Sequence, residues 1–172
     1  MEARIFKFED NINTDIIISG KYLRTEDTDV FKKHVFEVIR GENFYQQVNS
    51  GDVIIAKKNF GCGSSREQAA LAVKLAGFKA VIAKSFGRIF FRNMINLGVP
   101  ALILKENHLS DEIFNQILDK EIIDLDMKAG KAYIGVKGVE LQFYPLSDFT
   151  QTLINTGGLM NYAKQKISNH TR

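Results

Sequence analysis

Apolar and polar residues alternate at the start of the chain and then give way to short apolar runs. Residues 3–8 alternate as a half-buried strand does, and residues 52–57 form a β-branched run typical of a buried strand. Residues 79–83 and 101–104 repeat the second pattern. These segments are therefore predicted to be strands.

Helical spacing of apolar residues separates the buried runs. Residues 67–76 have an apolar face and end at Gly77, a predicted C-cap, and residues 88–97 end at Gly98. Strand and helix thus alternate as β-α-β-α-β across residues 52–104. This order predicts an α/β fold with a parallel sheet, whose ligands bind beyond the carboxyl ends of the strands.

Smaller elements are predicted outside this core. Residues 28–40 have helical spacing, with one apolar face formed by Val30, Phe31, Val35, Val38 and Ile39. The remaining predictions are a turn at residues 11–15, an apolar run at residues 16–18, a helix at residues 110–118, a hairpin of residues 131–136 with 139–143 through Lys137 and Gly138, and a closing helix after Gly158.

Composition narrows the class of protein. The 172 residues are 45% hydrophobic and 25% charged, which suits one globular domain over residues 1–172. A net charge of +3 without a basic run argues against nucleic acid as a partner. The first residues lack an apolar signal core and no run approaches a membrane span, so we expect a cytoplasmic protein without a membrane partner.

Cysteine and histidine content limits metal chemistry. Cys62 is the only cysteine, so an internal disulfide is excluded, and a zinc ion or an iron–sulfur cluster would need further thiolates. No histidine lies near Cys62 in sequence, so we expect Cys62 to be a small packing residue rather than a reactive thiolate. His34, His108 and His170 are expected to be ordinary surface or helix-edge residues.

Residues 59–67 (NFGCGSSRE) are the strongest candidate site, because two glycines, two serines and an arginine meet where a strand runs into a helix. Glycines let backbone approach a ligand, the first helix amides point outward, and Arg66 can bind a carboxylate through two N–H groups. Ser64 and Glu67 also fit a capping box, which would need no ligand. The residues alone leave both interpretations open.

Nucleotide-binding loops fit this segment poorly. In a Rossmann loop, Arg66 would occupy the position of the third small residue, and residues 83–85 lack the acidic side chain that holds a ribose. A Walker loop needs Gly-Lys followed by Ser or Thr, which this segment does not contain. Both interpretations are set aside.

Seven short sequence blocks, spread over almost the whole chain, occur in the same order as in a known protein family. They are residues 13–17 (NTDII), 22–23 (YL), 59–67 (NFGCGSSRE), 84–86 (KSF), 88–90 (RIF), 92–93 (RN) and 157–159 (GGL). On these blocks the chain resembles the small subunits of the aconitase-type hydro-lyases, a group that includes 3-isopropylmalate dehydratase and homoaconitase and corresponds to the swivel domain of aconitase. The resemblance implies a swivelling β/β/α domain with a parallel core and additional strands.

The resemblance also implies a partner. Such a domain closes over an active site on a large catalytic subunit that carries a [4Fe-4S] cluster, in a heterodimer or heterotetramer, while the small chain binds no cofactor itself. The enzyme would be a hydro-lyase active only with that subunit. Its substrate would be a small di- or tricarboxylic acid that loses water and regains it in the other orientation.

Residue roles follow from the motif match. Ser64 is implied to be the base that removes the carbon-bound proton, and the residues implied to bind substrate are Gly63, Ser65, Arg66 and Arg24, the last on a loop that reaches the variable side group. Thr14, Asp15 and Thr25 are implied to support the site. Thr14 and Asp15 fit a simple turn equally well, and Arg24 could instead turn outward to its acidic neighbours.

Several alternatives stay open. The family favours 3-isopropylmalate dehydratase of leucine biosynthesis, while Arg24 favours homoaconitase, and a non-catalytic module that binds carboxylate or phosphate is the competing class. Many relatives carry histidine at the position of Gln68 and proline at that of Ser19. Neither difference removes a proposed catalytic atom, so the class assignment stands. Arg88 and Arg92 lie on one helix face that either is solvated or meets the large subunit.

Overall fold

The computed structural model describes residues 2–135 and 138–170, and in them seven strands form one sheet in the order β4-β3-β2-β1-β5-β6-β7. The strands are β1 (Glu2–Phe8), β2 (Val53–Ala56), β3 (Ala80–Ala83), β4 (Ala101–Ile103), β5 (Ile122–Asp126), β6 (Lys131–Ile134) and β7 (Val139–Gln142). β1 to β4 are parallel and β5 to β7 are antiparallel.

Helices connect the strands, and two further helices come after the last strand in the chain. They are α1 (Thr14–Ile17), α2 (Thr28–Lys33), α3 (Glu37–Arg40), α4 (Glu67–Ala76), α5 (Arg88–Asn96), α6 (Asp111–Gln116), α7 (Asp148–Asn155) and α8 (Leu159–His170), with 3-10 turns at Gly20–Tyr22 and Phe44–Gln47. Within the described part of the chain, no helix has the length and hydropathy to cross a membrane.

The sheet curls until its two edges meet. The Lys105 N–H donates to the Gln142 carbonyl at 2.8 Å, and the Tyr144 N–H donates to the Ile103 carbonyl at 2.8 Å. These bonds join the end of β4 to the end of β7 and satisfy backbone groups that an open edge would leave exposed. The curl therefore encloses one face of the sheet.

Two hydrophobic cores lie on the two faces of the parallel strands. In β2, Val53 and Ile55 contribute to the core inside the curl, whereas Ile54 and Ala56 face the core beneath the helices. Since all four are buried, β2 reads as a continuous apolar run. The helix-side core holds a cluster of aromatic rings in T-shaped or tilted contacts, formed by Phe6, Phe8, Phe36, Phe44, Phe60 and Phe78.

The predicted alternation β2-α4-β3-α5-β4 is confirmed, with parallel pairing throughout and Gly77 as the left-handed C-cap of α4. The predicted hairpin corresponds to β6 and β7. The last residue of its predicted first strand, Val136, and the predicted turn residue Lys137 lie outside the described residues. The apolar run at residues 16–18 is helical rather than extended at its start, because the Asn13 side chain accepts from the Ile16 N–H and caps α1.

The single amphipathic helix predicted at residues 28–40 is wrong. The structure has α2 and α3 instead, separated by Phe36 in the left-handed region at φ 54°. The turn buries Phe36 completely and leaves Val38 and Ile39 63% and 44% exposed. The tilted contact between Phe36 and Phe8, with centroids 4.3 Å apart, joins this break to the aromatic cluster, a tertiary contact that local spacing does not reveal.

Neither β5 nor α7 was predicted. β5 alternates buried and exposed residues, with Ile123 and Leu125 buried, and it pairs antiparallel with β1. α7 begins at a Ser147 cap whose side chain accepts from the Thr150 N–H. The signals were alternation in the first case and a serine before Asp148 in the second, and both are short enough to be missed.

Candidate active site

The candidate motif lies at the carboxyl edge of the parallel strands, as the strand order predicts. β2 leads into it, β1 leads into residues 9–13, and β3 leads into residues 84–87. Parallel strands end at the same edge, so these three loops are neighbours in space. The candidate site is built where they meet.

Backbone hydrogen bonds fix the motif between the other two loops. The Phe60 N–H donates to the Ser85 carbonyl at 3.0 Å, and the Gly87 N–H donates to the Phe60 carbonyl at 2.8 Å. On the other side, the Gly61 N–H donates to the Ile12 carbonyl at 2.7 Å, and the Thr14 N–H donates to the Cys62 carbonyl at 2.9 Å. The loop therefore has little freedom before Gly63.

The glycines in and beside the motif are glycines for different physical reasons. Gly61 is buried at φ +71°, and a Cβ there would lie 2.1 Å from Cγ of Phe90. A Cβ at Gly87 would lie 2.3 Å from the Gly61 carbonyl oxygen. Packing against Phe90 of α5 thus explains Gly61, and the close approach of the two loops explains Gly87. Gly63, by contrast, is exposed and free to face a ligand.

The capping box, one of the two interpretations that the sequence left open, is not formed. α4 begins at Glu67 with Arg66 as its N-cap, in extended geometry and without a side-chain cap bond. Because Arg66 is extended, Ser64 and Ser65 stay outside the helix, and the Ser64 carbonyl accepts from the Arg66 N–H at 2.9 Å. Both serines are exposed, and neither hydroxyl bonds to another described residue.

Arg66 and Asp15 form an ion pair between the motif and α1, through Nη1 and Oδ1. Gly20 lies against the pair, since a Cβ there would be 3.7 Å from Nη2 of Arg66 and 3.7 Å from Oδ1 of Asp15. Nη2 and Nε of Arg66 make no hydrogen bond with the described residues, so the guanidinium keeps donors for a carboxylate. Asp15, which the resemblance implies to support the site, thus lies beside the motif, and its supporting role stays a prediction.

Thr14 presents a buried polar atom to the same loop. Its side chain is 1% exposed and its Oγ1 has no hydrogen-bond partner among the described residues. A Cβ on Gly63 would lie 3.4 Å from this oxygen. An unsatisfied buried hydroxyl costs about 1–3 kcal/mol, so folding alone gives no reason for a threonine here.

Arg24 and Thr25 lie in the loop that follows the 3-10 turn, and they do not join the motif. Arg24 is exposed and makes no ion pair or hydrogen bond within residues 2–135 and 138–170, so its acidic neighbours do not hold it. The Thr25 hydroxyl accepts from the Asp27 N–H at 3.0 Å, and Asp27 in turn caps α2. Gly20 is the point at which this segment reaches Arg66.

A cleft of about 220 Å³ opens between the motif and the start of α5. It is lined by residues 61–64 and 87–89. Arg88, which the sequence placed with Arg92 on one helix face, and Ile89 are therefore exposed beside Ser64. Their position at the start of the helix that follows β3 was the available signal. Ligand sites usually measure about 300–1,000 Å³, so this cleft is too small to enclose a substrate alone.

The chain does not fit an iron–sulfur cluster. Cys62 is its only cysteine, and the described residues contain no group of three His, Cys, Asp or Glu side chains that could hold a metal ion. His34, at the helix edge as expected, is more than a surface residue, since it bonds to Glu37. His108 is half-buried, and the His170 side chain lies outside the described part.

The sequence matches the aconitase C-terminal domain family over residues 6–107. The 3-isopropylmalate dehydratase small subunit 1 of Archaeoglobus fulgidus is 46% identical over 162 residues, which is 94% of this chain and 96% of that protein. The methanogen homoaconitase small subunit of Methanothermobacter thermautotrophicus is 42% identical, covering 97% of this chain and 92% of that one.

The structure is similar to a solved relative. The crystal structure of 3-isopropylmalate dehydratase from Methanocaldococcus jannaschii superposes with a TM-score of 0.87 at 39% identity, covering 99% of this chain and 96% of that chain. The α/β fold expected from the sequence, with its parallel core and additional strands, is thus found in a relative as well.

Gly61→Ala is expected to destabilise the chain more than Gly138→Ala. Both glycines have similar positive φ, +71° and +67°, but a Cβ at Gly138 meets nothing within 4 Å. The backbone penalty is therefore similar, and overlap with Phe90 should add about 1–3 kcal/mol at Gly61. Urea unfolding of both variants measures the difference, and equal losses would contradict the packing explanation.

Thr14→Val is expected to leave stability unchanged or to raise it by about 1 kcal/mol, because it replaces an unsatisfied buried hydroxyl with a methyl of similar size. Thr14→Ser keeps the hydroxyl and serves as the control. Urea unfolding of both variants decides the matter. A loss of more than about 1 kcal/mol in Thr14→Val would show that the hydroxyl has a partner in the folded chain.

Proposed function

The chain belongs to the aconitase C-terminal domain family, and we propose that it is the small subunit of a hydro-lyase of the 3-isopropylmalate dehydratase type. One observation carries the proposal. Two exposed serine hydroxyls, unbonded within the described residues, stand beside an arginine with free donors, on a loop fixed by backbone bonds. Substrate would be a small hydroxy acid with two or three carboxylates, isomerised by loss and return of water.

Ser64 is proposed to move the carbon-bound proton. In the forward direction its Oγ accepts the proton from one carbon, the hydroxyl leaves the adjacent carbon, and a double bond forms between them. In the hydration that follows, the hydroxyl adds to the carbon that lost the proton, and the proton adds to the carbon that lost the hydroxyl. The departure and return of the hydroxyl are not assigned to this chain.

A serine anion needs strong stabilisation at neutral pH, and the site offers three sources. These are the amides at the start of α4, the Arg66 guanidinium, and exclusion of water when the open cleft is covered. The first helix amides have no side-chain cap to compete with the anion. Low dielectric after closure would strengthen each interaction.

A substrate carboxylate is proposed to bind at Arg66 and the adjoining amides, with Ser65 and Gly63 beside it. The ion pair with Asp15 occupies Nη1 and orients the guanidinium, which leaves the other edge for the ligand. Thr14 would support this site through its unsatisfied hydroxyl. Asp15 thus acts through Arg66 rather than on substrate.

The large subunit is proposed to complete the site. The exposed serines and the small open cleft leave the reacting groups without a covering wall, and the relatives' names describe small subunits. A [4Fe-4S] cluster, which the family implies, would have to be held by that partner because this chain has one cysteine. No step above runs through the cluster.

Homoaconitase is the second candidate, favoured by Arg24. A substrate of that type presents a third carboxylate where isopropylmalate presents an apolar branch. Arg24 is exposed and unpaired within the described chain, so its guanidinium is free for a carboxylate. We propose isopropylmalate as the substrate, with a tricarboxylic acid as the alternative that Arg24 supports.

Ser64→Ala is expected to abolish turnover by the assembled enzyme while folding is retained. Since Ser64 caps no helix and is exposed, its loss should change stability by less than about 0.5 kcal/mol. Loss of the base should lower kcat by about 10²–10⁴. Ser168→Ala, on exposed α8, is the control. Single-turnover assays measure the effect, and near-normal kcat in Ser64→Ala would remove Ser64 from the mechanism.

The isolated chain is expected to be colourless, to bind no stoichiometric iron and to be inactive, because one thiol cannot hold a cluster. Dehydratase activity should appear when a large subunit with an intact cluster is added. Iron analysis, absorbance and activity assays check this. Activity from the isolated chain would contradict the two-subunit proposal, and carboxylate binding without activity in any mixture would favour the non-catalytic module.

Arg24→Val is expected to lower kcat/KM for tricarboxylic substrates more than for isopropylmalate, by about 1.5–3 kcal/mol, the range of a charge-assisted hydrogen bond. Each substrate is the internal control for the other. The measurement compares kcat/KM for both on reconstituted wild type and variant. Equal losses would mean that Arg24 does not read the side group.

A further inference from the structure

Glu37 holds the loop before α2 through a cluster of hydrogen bonds. Its side chain is 18% exposed, and Oε2 accepts from the Tyr22 hydroxyl at 2.7 Å and lies 2.5 Å from Nδ1 of His34. Lys21 Nζ lies 3.4 Å from Oε1. One carboxylate therefore binds two consecutive residues of the 3-10 turn and the C-cap of α2.

Ring contacts reinforce the same cluster. The Tyr22 and His34 rings are stacked, with centroids 3.8 Å apart and planes at 12°. Lys21 Nζ lies 4.6 Å from the Tyr22 centroid, which adds a cation–π contact. Tyr22 is thus held by its ring on one side and by its hydroxyl at the end.

Glu37 is ionised at neutral pH. Burial acts to raise the pKa of Glu37, but the hydrogen bonds from Tyr22 and His34 and the nearby positive charges outweigh burial and hold that pKa below its ordinary value. The hydrogen bond with Tyr22 and the Glu37 charge raise the pKa of Lys21. A charged acceptor makes each of these hydrogen bonds stronger than a neutral pair would.

Glu37 is itself fixed to the core. It is the first residue of α3 and follows Phe36, whose ring is fully buried and whose N–H donates to the Ile17 carbonyl at 2.9 Å. By contrast, the backbone bonds of the 3-10 turn are local, from Tyr22 to Ser19 and from Leu23 to Gly20. The rigid partner of the pair is therefore Glu37, and the loop is what it positions.

The loop connects this cluster to the candidate active site. Gly20 lies against the Arg66–Asp15 ion pair, and Arg24 follows the turn by two residues. We propose that Glu37 is a positioning residue, which sets the place of residues 20–25 through Tyr22 and so sets where Arg24 stands relative to Arg66. The inference rests on the proposed function, because it gives the loop its role in substrate recognition.

Tyr22→Phe tests the proposal with the smallest change, since it removes the hydroxyl and keeps the stacked ring. Tyr45→Phe is the matched control, because among the described residues the Tyr45 hydroxyl hydrogen-bonds with the Gln46 side-chain amide alone, in another turn. Trypsin cleavage after Lys21 and Arg24 in the full chain, followed by mass spectrometry, measures loop opening directly. We expect cleavage to be about three- to tenfold faster in Tyr22→Phe and unchanged in Tyr45→Phe.

The second readout is the KM of the reconstituted enzyme, measured for isopropylmalate and for the tricarboxylic substrate. We expect KM to rise about three- to tenfold in Tyr22→Phe, with kcat within about twofold, because the loop orients substrate and does not move protons. Glu37→Gln should act in the same direction, and thermal unfolding of each variant shows that the fold is kept. A fall in kcat at unchanged KM would overturn the positioning role.

The two readouts separate failure of this inference from failure of the proposed function. Cleavage rates in Tyr22→Phe equal to those of Tyr45→Phe would overturn the inference, as would faster cleavage with unchanged KM. If the wild-type chain gave no turnover with its large subunit, the proposed function would be wrong. The cleavage rates would then decide by themselves whether Glu37 holds the loop.

Discussion

The backbone hydrogen bonds that join residues 60–62 to the loops after β1 and β3 are the contacts on which the candidate site depends. They fix a loop that would otherwise be free between a strand and a helix, and they need no side chain that could serve chemistry. Gly61 and Gly87 permit them because larger residues would overlap Phe90 or the facing carbonyl. The exposed serines are thus carried on a rigid base.

Two anchors converge on this base from one side of the sheet. Asp15 pairs with the Arg66 guanidinium, and Glu37 binds Lys21 and Tyr22 of the 3-10 turn, whose first residue, Gly20, lies beside that guanidinium. Each carboxylate therefore fixes a side chain of a neighbouring element. The groups proposed to face the substrate remain exposed, which suits a site that a second subunit covers.

Prediction from the sequence succeeded where a segment's surroundings are simple. β2 and β3 are buried on both faces, so their apolar runs indicated strands, and α4 ended at Gly77 as expected. It failed where a distant contact overrides local preference. Ser64 and Glu67 satisfy a capping pattern that the structure does not form, since Arg66 is the N-cap of α4, and Phe36 breaks a helical pattern to join the aromatic cluster.

The sequence by itself determined the α/β alternation, the motif at residues 59–67 and the resemblance to aconitase-type small subunits, because each depends on residues close together in the chain or on their order. Only the tertiary structure decided that the sheet curls shut, that Asp15 reaches Arg66, that Thr14 keeps an unsatisfied hydroxyl beside Gly63, and that Glu37 holds Tyr22. These contacts join residues on different elements, and their distances are set by how strands and helices pack, which no local pattern encodes.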